Sequence, residues 1–523
     1  MNQSELHRLL MQPAFYPLPD RPLSVEHRET HISHVYILDH LVFKMKKPVN
    51  FGFLDFTSLE KRKFFCEEEV RLNRRFCPDT YLDVTAVCAD SAGIHLGLPG
   101  DPIEYLVKMV RLPEDRMLTH LLAADSPELL ELMARLGNRL AGVHLSLPSC
   151  WHDEGFSELD HVRRNWEENF AQTKSGIGRI MPAHGFTIMS RFVHDFLSEH
   201  AGLIEAREQQ GWVRECHGDL HADHVCFTDP IRMFDCIEFN RRFRVSDILS
   251  DLAFLVMDLE KNQRSDLALL LRQSYEQALN AAIPSGLLRF YKIYRAYVRG
   301  KVGYLRSNEL DAGTDAHRAA LQKAVSFLSR ALGYLMPQAL LVTCGIMGTG
   351  KSSLALHLAQ ALNANVSRSD QIRHDLYPVT GASPSDFLQG AYLPELTERV
   401  YGSMLQKAAD LLNNGSTVIL DATFGDTKRR AQARELAAVL NIPIIFFHCR
   451  CPRHVALERL VQRADAGTDI SEGRADLYDL QAAQFVPPAP DEQAVPVDTI
   501  EDIDYVAISA LSDALCYMGI ESD

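Results

Sequence analysis

The chain has 523 residues, 46% of them hydrophobic and 24% charged, with a formal net charge of −15. This length suits roughly two to four compact domains and its charge content excludes wholesale disorder. Acidic side chains outnumber basic ones both before and after Gln338, which disfavours nucleic acid as a partner because there is no overall pull on a phosphate backbone. The N-terminus lacks a basic start followed by a long apolar run. No stretch reaches the about 18 apolar residues of a membrane span. The eleven cysteines show no paired zinc-site spacing and read as reduced thiols, so a cytoplasmic location is expected.

In chain order, residues 1 to about 30 read as a polar, Pro-containing lead-in. Residues 32–46 alternate like two strands joined at Asp39-His40. Residues 59–76 have helical spacing, and short β-like runs follow between Tyr81 and Met109. From about 117 to 210 leucines recur at helical intervals. A polar loop, CHGDLHADH, then leads into VCF, IRMF and DCIEF, and residues 245–335 return to helices. Pro337 precedes the apolar run ALLVTCGI, which puts the domain boundary near 336 and gives domains 1–336 and 337–523. Beyond it Ala339–Cys344, Thr417–Leu420 and Ile442–Phe447 read as strands, alternating with helices over Gly350–Ala361, Pro394–Leu412 and Arg429–Leu440. Such alternation predicts a doubly wound parallel sheet and an α/β multidomain chain.

Gly345-Ile346-Met347-Gly348-Thr349-Gly350-Lys351-Ser352 matches G-x-x-x-x-G-K-[ST], with a buried strand before it and an apolar-striped helix after it. Gly345, Gly348 and Gly350 let backbone N–H groups converge on phosphate oxygens. Lys351 should reach the β- and γ-phosphates, Ser352 should ligate Mg²⁺, and Ser353 belongs to the same nucleotide-binding turn. Asp370 and Arg373 form a D-x-x-R pair about 20 residues on. The carboxylate suits proton acceptance from a hydroxyl and the arginine suits an anionic group, while a capping Asp beside a solvated Arg is the simpler alternative. Asp421 ends an apolar strand, a usual place for a Mg²⁺ carboxylate. Arg459 and Arg463 lie four apart ahead of ADAGTDISEGRAD, in the pattern of an arginine-bearing lid. Together these residues resemble the P-loop kinases that include polynucleotide 5′-kinases, zeta-toxin-like kinases and gluconate or shikimate kinases. The resemblance implies Asp370 as base, Arg373 as acceptor-binding residue and Arg459 or Arg463 as a transition-state cation.

His217-Gly218-Asp219-Leu220-His221-Ala222-Asp223-His224 followed by Phe234-Asp235-Cys236-Ile237-Glu238 is similar to the catalytic and metal loops of aminoglycoside phosphotransferases, the antibiotic- and choline-kinase branch of the protein-kinase-like fold. The resemblance implies a two-lobed fold over residues 25 to 330. It also implies Asp219 as hydroxyl-proton acceptor, Asp235 as Mg²⁺ ligand and Lys44 as the phosphate-binding strand lysine. Lys46 or Lys47 remain alternatives for that lysine. Glu69 is the preferred ion-pair partner among Glu67, Glu68 and Glu69, and Asp247 and Asp251 resemble supporting acidic residues. His224 stands where the family carries an asparagine metal ligand, and His31-Ile32-Ser33-His34 replaces its nucleotide loop. The whole chain resembles a bacterial bifunctional group that fuses the two domains.

The expected function is ATP- and Mg²⁺-dependent transfer of phosphoryl groups to hydroxyls of small molecules. Two alternatives stand beside it. One is a regulatory P-loop ATPase with a pseudokinase N-terminal domain. The other is a nucleic-acid end kinase, for which Lys428, Arg429, Arg430 and Arg434 are the local basic candidates, although such a run is more often a solvated helix face.

Overall fold

The computed structural model describes residues 3–16, 22–91, 93–97, 99–152, 155–377, 393–466, 475–492 and 494–520. The chain forms two compact units, Met1–Arg163 with His200–Tyr291, and Arg164–Glu199 with Lys292–Asp523. The sequence puts its boundary near 336, whereas by contact the segments 164–199 and 292–336 group with the C-terminal residues. The reason is helix packing. Helix Asp315–Gly333 lies on helices Lys351–Leu362 and Ile503–Tyr517, and the latter also meets helix Ala183–Glu199. No helix among the described residues is long and apolar enough to cross a membrane.

The first unit opens with β1 (Glu26–Glu29), β2 (Ser33–Ile37), β3 (Leu41–Lys46), β4 (Tyr81–Asp90), β5 (Gly93–Leu96) and β6 (Asp101–Val110), in one sheet ordered β1-β2-β3-β6-β4-β5. All of its pairings are antiparallel. Side chains alternate across the pleat. Tyr36, Phe43, Met45 and Leu106 therefore build a core on one face, and Val107 and Met109 build another with Cys66 and Val70 of helix Leu59–Asn73. The lead-in is more ordered than its composition implies. Residues Gln3–Leu10 form a helix, and its Leu6 and Leu10, four apart on one face, enter the first of these cores.

A helical region follows and carries β7 (Val213–Glu215), β8 (Val225–Cys226), β9 (Arg232–Met233) and β10 (Val245–Asp247), paired β7 with β10 and β8 with β9. An antiparallel sheet followed by a helical region with two short strand pairs is the layout expected from the HGD loop.

The second unit holds β11 (Leu340–Cys344), β12 (Asn365–Arg368), β13 (Val418–Asp421), β14 (Ile444–Arg450) and β15 (Ala494–Asp498). They form a wholly parallel sheet ordered β12-β13-β11-β14-β15, the expected P-loop kinase architecture. Every residue of β11 is buried, as a central strand covered by helices on both faces requires. β15 is absent from the sequence reading. It contains Pro496 and sits at the sheet edge, where a missing N–H is tolerated. Residues 467–474 of the expected lid lie outside the described residues.

Candidate active sites

In the first unit the pleat of β3 sorts the three candidate lysines. Phe43 and Met45 face one core, so Lys44 and Lys46 share the opposite face, toward helix Leu59–Asn73. Lys44 Nζ donates to Glu69 Oε1 at 2.8 Å and to Asp235 Oδ1 at 2.5 Å. Lys46 Nζ donates to Glu69 Oε2 at 2.6 Å and to Glu238. Lys47, on the other face, bonds Glu29 and the Thr30 carbonyl. Lys44 is thus the lysine that bridges the helix glutamate and the metal-loop aspartate, and Glu69 is its partner among the three glutamates. Burial works against the Lys44 charge, but Asp235, Glu69 and Glu238 outweigh it and hold its pKa well above the usual lysine range.

Lys46, an alternative for the phosphate lysine in the sequence, instead joins Glu238 as the buried foundation of this cluster. Lys46 is fully buried. Burial raises the Glu238 carboxyl, and Lys46 opposes that shift. Lys46→Met keeps the stem and deletes the charge, leaving Glu69 and Glu238 undercompensated in a dry site. Stability should fall by about 3–5 kcal/mol, the usual cost of breaking a buried pair, read as a lower urea midpoint with an unchanged slope. An unaltered midpoint would remove Lys46 from the foundation.

The catalytic-type loop is held by side-chain carboxylates of helix Leu249–Lys261, which accept from the loop's backbone N–H groups. Asp251 accepts from the N–H groups of His217 at 2.7 Å and Gly218 at 3.0 Å, and Asp258 accepts from Ala222 at 2.9 Å. Gly218 has φ +85°, and a Cβ there would stand 2.9 Å from the Phe243 carbonyl, so this turn requires glycine. Asp247 has a different part. It takes a two-pronged ion pair from Arg207 and accepts from Leu249 N–H at 2.9 Å. Asp258 has no signature in the sequence beyond its seven-residue spacing from Asp251.

Asp219 and Asp235 flank His224. The Nδ1–H of His224 donates to the Asp219 carbonyl at 2.8 Å, because a carbonyl only accepts. Nε2 then carries the lone pair and lies 3.6 Å from Asp235 Oδ2. Burial, and next the neighbouring His221, lower the His224 pKa and keep the ring neutral. Burial would raise the Asp235 carboxyl, but Lys44 and then His224 outweigh it and hold it below the usual carboxylate range. An ionised carboxylate and an imidazole lone pair converge here, a donor set that fits a divalent ion.

In the second unit the phosphate loop joins β11 to helix Lys351–Leu362. Gly345, Gly348 and Gly350 have φ of +142°, +77° and +81°. A Cβ would stand 2.6 Å from the Cys449 carbonyl at Gly345 and 2.6 Å from the Ala456 carbonyl at Gly348, so packing behind the loop as well as phosphate access excludes side chains. Lys351 Nζ donates to the Ile346 carbonyl at 2.8 Å. Burial pulls its ammonium below the usual lysine range, against the opposing pull of Asp421.

A cavity of about 410 Å³ opens in front of the loop, lined among others by Gly348, Lys351, Ser352, Asp370, Arg373 and Asp421. Three separate strand ends supply these groups, from β11, β12 and β13, as expected at the carboxyl edge of a parallel sheet. Asp421 Oδ1 accepts from Thr343 Oγ1 at 3.1 Å and its Oδ2 lies 3.3 Å from Arg368 Nε. Ser352 hydroxyl and Asp421 carboxylate are hard oxygen donors, which fit Mg²⁺. Asp370 is not the cap of its helix, because Arg368 holds that position. Its Oδ1 instead accepts from Arg373 Nη1 at 2.8 Å.

Other candidates separate. Arg463 lines the cavity. Arg459 does not: its guanidinium donates to Thr499 Oγ1 at 3.1 Å and to the Thr499 carbonyl at 2.5 Å. Ser353 is exposed in the first helical turn and is not a lining residue. The basic run divides as well. Lys428 is exposed beside Glu398, Arg430 is buried against Glu492, and Arg429 lines the cavity over the Tyr401 ring. Tyr401 and Gln481, whose Oε1 accepts from Met347 N–H at 2.6 Å, are cavity residues that sequence motifs do not single out.

A family model described as an AAA domain matches residues 340–488. Among solved structures, a choline/ethanolamine kinase family protein from Mesorhizobium loti is 14% identical and covers 69% of this chain and 99% of its own, with a TM-score of 0.39. A gluconokinase from Sinorhizobium meliloti 1021 is 18% identical and covers 36% and 98%, with a TM-score of 0.26. The uncharacterized protein Rv2004c of Mycobacterium tuberculosis H37Rv is 32% identical over 466 residues, 87% of this chain and 89% of its own. With that identity running through both the HGD-loop unit and the phosphate-loop unit, this chain belongs to the same family as the mycobacterial protein.

Proposed function

We propose that the chain is an ATP-dependent phosphotransferase with two nucleotide sites, one in each unit, that phosphorylates hydroxyl groups of small molecules. The observation that carries the reading is the Asp370–Arg373 pair, which opens on the same cavity as Lys351, Ser352 and Asp421. A switch ATPase positions a water and has no use for an acceptor base beside an arginine. In the proposed reaction Asp370 accepts the acceptor hydroxyl's proton as that oxygen bonds the γ-phosphorus. The bond from the γ-phosphorus to the β–γ bridging oxygen breaks and ADP leaves. Lys351 and the loop N–H groups hold the phosphates, and Arg463 faces the charge that develops. Ser352 and Asp421 would hold Mg²⁺, which supplies charge neutralisation between the β- and γ-phosphates.

In the first unit Lys44 holds the α- and β-phosphates, Asp235 with His224 would hold the divalent ion, and Asp219 accepts the hydroxyl proton. The deciding experiment follows ³²P from γ-labelled ATP into a metabolite extract, with the wild type and with Asp219→Ala and Lys351→Ala separately. Each variant should lose a different labelled product. Label in no metabolite with any of the three would leave the regulatory ATPase reading in its place.

His224→Asn tests the metal set. In the Lys351→Ala background, the asparagine oxygen should preserve or raise Mg²⁺-supported transfer and reduce any advantage of Mn²⁺, since imidazole favours Mn²⁺ more than an all-oxygen site does. Equal loss with both ions would show that His224 only braces the Asp219 loop.

A further inference from the structure

We propose that His7, His27 and His34 form a second metal site, one for a divalent transition-metal ion of the zinc class, on the sheet face turned away from Lys44. One ligand nitrogen from each of the three lies within 4.8 Å of the others. β1 pairs with β2 so that His27 stands opposite Tyr36 and Glu29 opposite His34. Alternation along the strands then puts His27, Glu29, His34 and Tyr36 on one face. Tyr36 belongs to the core that Leu6 and Leu10 enter, so helix Gln3–Leu10 delivers His7 to that same face. Its Nδ1 lies 3.0 Å from the Tyr36 hydroxyl. Lys44 and Glu69 are on the opposite face, so this cluster is separate from the nucleotide site.

The spacing suits a small ion. His27 Nε2 and His34 Nδ1 are 3.1 Å apart. Zn–N bonds of about 2.0–2.1 Å place tetrahedral ligand nitrogens ~3.4 Å apart, so this pair is already at the working separation and only His7 has to close in. Burial, and then neighbouring positive groups, bring the His34 pKa down to about 4 and also lower that of His27. Both rings are therefore neutral near pH 7. In the metal-free state one of these two facing nitrogens donates to the other, so metal binding replaces that hydrogen bond and moves its proton to the far nitrogen of the same ring. Three imidazoles select borderline ions such as Zn²⁺, Co²⁺ or Ni²⁺ over Mg²⁺. Glu29, which stands opposite His34 and bonds Lys47 at 2.6 Å, is a carboxylate on the same face for a fourth position, and water is the other choice. Because His7 belongs to the N-terminal helix and the other two belong to the β1–β2 hairpin, an ion here clamps the two together.

The test uses the full chain carrying His224→Ala, so that the Asp219–His221–His224 cluster cannot contribute. The protein is stripped with a chelator and titrated with Zn²⁺ against a chromophoric competitor. One equivalent should bind, and His34→Ala should weaken it by more than the roughly 10–100-fold that loss of a metal's outer-shell partner costs. His7→Ala leaves both hairpin ligands in place and should weaken binding. Hydrogen exchange supplies the second readout. Zn²⁺ should slow amide exchange over residues 3–10 in the parent and not in His7→Ala. Zn²⁺ affinity equal in parent and both variants, or no binding by the parent, would overturn the assignment.

Discussion

Asp370→Asn should lower phosphoryl transfer by the second unit roughly 10²–10⁴-fold, the usual range for losing a general base, with ATP affinity held within a few-fold. The substitution keeps size and a hydrogen-bonding oxygen, so the contact to Arg373 Nη1 at 2.8 Å is retained. What disappears is the basic carboxylate beside the acceptor. Nucleotide affinity stays because the phosphate-holding groups, Lys351 and the N–H groups of the glycine turn, belong to a different strand end. The loss should therefore appear in kcat and kcat/KM together, the signature of an interaction made in the transition state. The measurement belongs in an Asp219→Ala background, where only the second unit turns over. Transfer at the parent rate would reduce the Asp370–Arg373 pair to a structural ion pair. Lys351→Ala should behave oppositely and abolish ATP binding by that unit.

Asp219→Asn in the Lys351→Ala background is expected to remove first-unit turnover by a similar roughly 10²–10⁴-fold while Mg·ATP still binds. Lys44, the proposed phosphate holder, is paired with Glu69 and Asp235, groups distinct from Asp219. The Asp219 backbone carbonyl, which the substitution leaves untouched, is what holds His224 Nδ1–H at 2.8 Å. Asp235→Asn should do the reverse and weaken Mg·ATP binding. It strips the charge that faces Lys44 Nζ at 2.5 Å and His224 Nε2 at 3.6 Å. Label transfer that persists without Asp219 would defeat the assignment of this loop as catalytic.

Much of both folds was legible because the signals were local. The phosphate loop needs glycines at fixed offsets between a buried strand and a helix, and β11 and its helix supply that setting. The alternation of apolar runs and helices predicted a parallel sheet, and a parallel sheet ordered β12-β13-β11-β14-β15 is present. The HGD loop and the Phe234-Asp235 turn were likewise readable as short strings. Helix Gln3–Leu10 was not, because eight residues with two buried leucines give too little periodicity to stand out from a polar lead-in.

What the sequence by itself determined is which chemistry-bearing groups exist and on which strand ends they ride: Lys351 and Ser352 after β11, Asp370 after β12, Asp421 at the end of β13, Asp219 and Asp235 in the HGD region. The tertiary structure decided which of several equivalent candidates enters each cluster. The run KMKK left three lysines open, and the pleat put Lys44 and Lys46 on the Glu69 face and Lys47 on the other. Arg459 and Arg463 share a helical spacing, yet only Arg463 lines the cavity, because Thr499 from the far end of the chain engages Arg459. Glu238, Asp258, Arg429 and the histidines 7, 27 and 34 became partners only through packing between segments distant in sequence. The physical reason is that periodicity records a residue's relation to its own element's core face, whereas a buried ion pair or a ligand cluster depends on the register between elements. That register is set by side-chain interlocking over the whole core and leaves no short-range trace.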